Sequence, residues 1–162
     1  MAATNRAPKR DGRRGGFTLI ELLVAASIVG ILAGLAIPNV RTVLLRARAA
    51  DAVADMQVVR IATQQYNADA LTWPPEAALG TVPGVLTTYL PDDFSFSGDG
   101  YTLDFENWSL SGGLPGDPST TTLIGVSVAA DESDLGNAIA NLLGSAVVFS
   151  VSNTHTIVID RS

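Results

Sequence analysis

The sequence predicts an α+β fold in which one long N-terminal helix, apolar in its first half and amphipathic in its second, packs against a small antiparallel sheet of four or five strands. Three observations predict it. An apolar run from Phe17 to Ile37 holds a single charge, Glu21. Apolar residues then recur every three or four positions as far as Leu71, and from Phe94 the period changes to two. A chain of 162 residues leaves room for one modest head beyond the helix. The reading divides the chain into a basic leader at 1–16, a spanning helix at 17–37, an amphipathic helix at 38–71 and an α+β head at 72–162.

The leader holds Arg6, Lys9, Arg10, Arg13 and Arg14 against Asp11 alone, and ends in Gly15-Gly16. It reads as a segment to be removed, not as structure. An ordinary secretory signal places its small-residue cleavage site after the apolar core; here the small residues come before it. About 21 apolar residues at about 1.5 Å each cross the roughly 30 Å hydrocarbon core of a bilayer. The basic leader then stays in the cytoplasm and the C-terminus crosses. An ionised acid inside such a span costs roughly 2.5 to 3.5 kcal/mol on insertion scales. Glu21 therefore needs a partner, a route to the headgroups or a proton. Pro38, which lacks an N–H and crowds the preceding turn, predicts a kink near Ile37.

The stretch Gly15-Gly16-Phe17-Thr18-Leu19-Ile20-Glu21-Leu22-Leu23 resembles the processing and assembly motif of type IV pilins and type II secretion pseudopilins, a resemblance that covers about the first third of the chain. It implies a pilin-like fold and a prepilin peptidase that cuts after Gly16 and methylates Phe17. It implies that Glu21 pairs with the Phe17 amine of a neighbouring copy, and that Gly30, Gly34 and Pro38 bracket the segment of the helix that unwinds most readily. The implied partners are other pilin-like subunits in a filament, the peptidase, an inner-membrane assembly platform and membrane lipid. The implied location is the bacterial inner membrane, single-pass, with a cytoplasmic N-terminus and a periplasmic or extracellular head, and the filament after assembly. The function so implied is that of a type II secretion pseudopilin; the alternative is a major or minor type IV pilin serving adhesion, motility or DNA uptake. The sequence has no cysteine, unlike the many major pilins whose C-terminal loop is closed by a disulfide, and this favours pseudopilins and minor pilins.

Beyond the span, Val43, Ala47, Ala50, Ala54, Val58 and Ile61 form one predicted helical face. Arg41, Arg48, Asp51 and Asp55 fall opposite as a solvated face, with Arg48 and Asp51 spaced to pair. Trp73-Pro74-Pro75 ends the helix. A connector follows, with a helical turn around Val85–Leu90, and Tyr66, Trp73, Leu79, Leu86 and Tyr89 are expected to pin it down. Phe94–Ser97 and Tyr101–Trp108 read as a hairpin about Gly98-Asp99-Gly100. Thr122–Ala130 is the next strand. A short helix through Leu135, Ile139, Leu142 and Leu143 opens on the acids at 131–134 and stops at Gly144. Ala146–Val151 and His155–Ile159 close the sheet.

The formal charge of −6 is concentrated in an acidic head, which argues against a nucleic-acid surface. Without cysteine there is no thiol nucleophile or thiolate metal site. No Ser/His/Asp or two-carboxylate arrangement emerges from spacing, so no enzyme is predicted. Asp92, Asp93, Asp99 and Asp104 lie near turns and carry the hard oxygen ligands that calcium takes, as some pseudopilin heads do, but their spacing follows no known loop pattern. Solvated carboxylates are the preferred reading, and no cofactor is assigned. His155, the lone histidine, is expected at a strand surface or partly buried.

Overall fold

The computed structural model describes residues 16–114 and 117–162, except for the side chains of 35–39. It separates into two units, one ending at Val40 and the other spanning Arg41–Ser162. The leader up to Gly15 and the side chain of Pro38, with the kink expected there, lie outside the described residues. The elements in order are α1 (Leu19–Ala70), a 3-10 turn (Gly84–Leu86), β1 (Tyr101–Ser109), β2 (Thr122–Ala130), α2 (Ser133–Leu143), a second 3-10 turn (Gly144–Ala146), β3 (Val147–Val151) and β4 (Thr154–Arg161).

The four strands run in the order β1-β2-β4-β3, and every neighbouring pair is antiparallel. Alternation decides the faces. Leu103, Phe105, Ile124, Val126, Val128 and Ile157 are buried in one cluster with α1 and with Leu135, Ile139 and Leu143 of α2. Each such side chain contributes roughly 1.5–3 kcal/mol of burial. The arm Phe94–Ser97 does not become a strand. It keeps one bridge, Ser97 to Thr102, and the bonds Gly98 N–H to Tyr101 O and Leu103 N–H to Phe96 O, at 2.9 and 2.7 Å. Phe96 is drawn wholly into the core, which leaves the rest of the arm without a ladder.

The buried stripe of α1 differs from the predicted one. Ala49, Ala52, Met56, Val59, Ala62 and Thr63 are buried, whereas Val43 and Ile61 are 64% and 53% exposed. In a helix this rich in alanine several stripes have similar apolar content. The sheet takes the one whose alanines permit close approach and whose Met56 fills the remaining space. The charged face changes accordingly. Asp55 turns toward the head and accepts a hydrogen bond from the Tyr101 hydroxyl at 2.5 Å. Arg48 pairs with Asp99 at 2.8 Å instead of with Asp51. Gly98 permits the first contact, because a β-carbon there would sit 2.1 Å from the Tyr101 ring.

α1 ends as the prolines require, with Leu71 in the left-handed region at φ 54° and its N–H bonded to Asn67 O at 2.9 Å. The connector is pinned by buried Leu86, by half-buried Trp73, and by Tyr66 and Tyr89 packed edge to face at 5.8 Å. Leu79, expected among the pins, is exposed. α2 stops at Gly144, whose N–H reaches Ala140 O, as its sequence predicts. His155 is only 5% exposed, with Nδ1 2.6 Å from the Ser150 hydroxyl, deeper than its place at the start of a strand suggests.

Candidate assembly site

The first turn of α1 carries the residues singled out by the motif. Gly16, Phe17 and Thr18 precede the helix, and Leu19 is its first residue. Thr18 is thus the N-cap and Glu21 the third helical position. Their side chains form a reciprocal capping box. Thr18 N–H and Thr18 Oγ1–H both donate to Glu21 Oε2 at 2.9 Å, and Glu21 N–H donates to Thr18 Oγ1 at 3.3 Å. Two backbone donors that a helix start leaves open are satisfied, and a negative group sits at the positive end of the helix dipole. Glu21 is therefore not the isolated acid that the sequence reading describes. The role of Thr18 was legible in principle: a threonine followed three residues later by a glutamate, at the edge of an apolar run, is the signature of this box.

Around this box the side chains are apolar and bare. Phe17 is 84% exposed, and Leu19, Ile20, Leu22, Leu23, Val24, Ile28, Val29, Ile31 and Leu32 are all exposed. Ser27, the polar residue among them, spends its hydroxyl on Val24 O at 2.7 Å, within its own helix. Nothing lies within 4 Å of where a β-carbon would stand at Gly16, Gly30 or Gly34. Among the described residues no packing requires those glycines. Among the described residues no helix is long and apolar enough to cross a membrane. The described side chains of this stretch stop at Gly34, short of the predicted end at Ile37.

The carboxylates considered for calcium are not brought together. Asp99 is engaged by Arg48, Asp104 lies within β1, and Asp92 and Asp93 stay in the turn after Pro91, Asp93 with φ 58°. Among the described residues no group of three acids or histidines is placed to hold a metal.

Residues 11–37 match the family described as the prokaryotic N-terminal methylation motif. The chain is 30% identical over 136 residues to a type II secretion system core protein G of Pectobacterium carotovorum, covering 77% of this chain and 85% of that one. The chain belongs to the type IV pilin-like family. Two further relatives of this pilin-like chain show the breadth of the group. A core protein G of Dickeya chrysanthemi is 33% identical over 92 residues, covering 56% of this chain and 60% of its own. The type IV major pilin protein PilE of Neisseria gonorrhoeae is 36% identical over 61 residues, covering 38% and 36%. The pilin-like chain thus spans less than two thirds of both these relatives. No solved structure matches it. The family is one of structural subunits, and the long helix with its four-stranded antiparallel sheet is consistent with the pilin fold.

Proposed function

We propose that this chain is a membrane-anchored subunit of a helical filament, a type II secretion pseudopilin, matured by cleavage after Gly16 and methylation of Phe17. The observation that carries this reading is the apolar, exposed first half of α1 with one carboxylate at its start. A helix that is apolar all round is stable only in apolar surroundings, which a bilayer supplies first and a bundle of like helices afterwards. Residues 17–37 serve as the single span, with the head in the periplasm or outside the cell. The capping box lets Glu21 wait in the membrane, because both Thr18 bonds fall on one oxygen. On assembly the freed amine of Phe17 on a neighbouring copy meets the other oxygen, and the two buried charges set the axial register. Gly30 and Gly34, which no described residue packs against, and Pro38 give the helix its adaptable segment. Further partners on this reading are the prepilin peptidase and the inner-membrane assembly platform.

The extended alignment with core protein G of Pectobacterium supports the secretion assignment. A fimbrial protein of Dichelobacter nodosus, 41% identical over 69 residues, supports the second reading, a type IV pilus subunit. Replacing Glu21 with Ala tests the assembly role that both readings share. Cleavage after Gly16 should continue, while incorporation into filaments, measured in sheared fractions, should fall at least about tenfold, the loss of a charge-assisted contact. Normal incorporation would remove the role given to Glu21.

A further inference from the structure

Arg41, Leu44, Leu45 and Arg48 recur on α1 at the spacing that places residues on one face of a helix. The start of α2 lies across from them. Glu132 is its N-cap, with extended backbone at φ −118° and ψ 143° and no capping bond from its carboxylate, and Asp134 follows in the first turn. Packing fixes that start, because Leu135 is 3% exposed in the core and a β-carbon at Gly136 would stand 3.3 Å from Asn153 Cβ. These two acids and the four residues of α1 line a groove of about 300 Å³, wholly within the unit that begins at Arg41.

The groove keeps opposite charges apart. Among the described residues the one ion pair is Arg48 Nε with Asp99 Oδ2 at 2.8 Å, so Arg41 pairs with neither Glu132 nor Asp134 although all three line the same space. Arg48 is held through one of the five N–H donors of its guanidinium and keeps the others. One wall is thus cationic and the other anionic, and exposed Leu44 and half-buried Leu45 form an apolar strip with them. A simple anion would meet the acids, and a simple cation would meet the arginines. The ligand that fits carries both charges a few bonds apart.

The course of the chain says where such a ligand would come from. With the proposed span ending at Ile37, Arg41 follows after four residues, at most about 6 Å of helix, and the headgroup layer is roughly 5–8 Å deep on each side of the hydrocarbon. The groove therefore begins at the depth of lipid phosphates. Val43 and Leu44 beside it are 64% and 56% exposed, an apolar surface that suits the membrane interface.

We propose that the groove takes the zwitterionic headgroup of phosphatidylethanolamine, with its phosphate on Arg41 and Arg48, its ammonium on Glu132 and Asp134, and its methylenes over Leu44. The inference rests on the reading of residues 17–37 as a span and names the lipid that the head meets there. An ammonium has three N–H donors to divide between two carboxylates, and such charge-assisted bonds are the strong ones. Phosphatidylcholine carries the same charges but has no N–H to donate. Phosphatidylglycerol brings the phosphate and leaves both acids unanswered.

The test uses the full chain in dodecyl maltoside micelles, with bound lipid counted by native mass spectrometry as each of the three lipids is titrated in. Phosphatidylethanolamine should half-saturate the chain at a concentration about tenfold lower than either of the others. Glu132→Gln combined with Asp134→Asn should bring it to the level of phosphatidylcholine, whereas Arg41→Gln should weaken both lipids alike; an unchanged thermal midpoint shows that each variant is folded. Equal retention of the three lipids by the unaltered chain, which needs no variant, would overturn the proposal. So would displacement of the lipid by equimolar soluble phosphoethanolamine, which would give the groove to a soluble ligand. Flotation with liposomes tests the span separately. A chain that floats but shows no preference among the lipids contradicts the groove alone, and a chain that does not float contradicts the span and the groove with it.

Discussion

Between Leu19 and Gly34, α1 carries leucine, isoleucine and valine on every side and exposes them; between Ala49 and Thr63 the same helix carries mostly smaller residues along one stripe and buries them completely. Hydrophobicity alone would predict the reverse order of burial. What differs is the partner. The second half has a sheet whose Leu103, Phe105, Val126 and Val128 fit against small side chains, and a polar face to give to water. The first half has no polar face, so no single packing surface can satisfy it. A helix apolar all round is stabilised only by surroundings that are apolar on all sides, which is what the proposed anchor and assembly role would supply.

The contrast can be broken from the head. Phe105→Ala removes a fully buried ring and should destabilise the head by about 3–5 kcal/mol in denaturant unfolding, while cleavage after Gly16 stays unchanged. Loss of both together would mean that the two regions are not independent. A smaller effect belongs to the other half. Thr18→Ala removes two of the three capping-box bonds and should cost about 0.5–2 kcal/mol of protection in the first turn, read by amide hydrogen exchange at 19–22, without moving the unfolding midpoint of the head.

The smallest expected effect is the pH response of the head. Burial, with the charges of Glu106 and Glu76, pushes the Asp104 carboxyl up to about 6. A carboxyl raised on folding binds its proton more tightly in the native state. Its contribution is therefore fully present below the unfolded value near 4 and is lost as pH rises through 6. Asp104 is partly exposed, so solvent screening reduces the change to about 1 kcal/mol. Wild-type head should lose that stability between pH 4 and pH 7, and Asp104→Asn should flatten the profile in thermal unfolding. A wild-type profile that rises across this window would contradict the assignment.

Much of this was legible in the residues. The stop at Trp73-Pro74-Pro75, the strand alternation after Tyr101 and the Gly144 cap are local signals, and the structure carries the corresponding elements; the motif around Glu21 is also local, and the family match at 11–37 covers it. The buried face of α1 was not legible, because Val43 and Ala47 compete with Ala49 and Ala52 until a sheet chooses between them. The loss of the Phe94–Ser97 arm depends on Phe96 being claimed by the core, a tertiary event. The order β1-β2-β4-β3 and the meeting of Trp108 with Phe149 follow from long-range pairing that no spacing announces. Thr18 is different in kind: its signal was local and available, and lay hidden behind the interest of Glu21 alone.

On the proposed function the first half of α1 begins, in the working protein, at a free and methylated Phe17. Mass spectrometry of the intact chain recovered from membranes of the native host measures that directly. The prediction is a chain that starts at Phe17 and carries one methyl group on its terminal nitrogen. A membrane-bound chain that still starts at Met1, with no shorter form present, would contradict it.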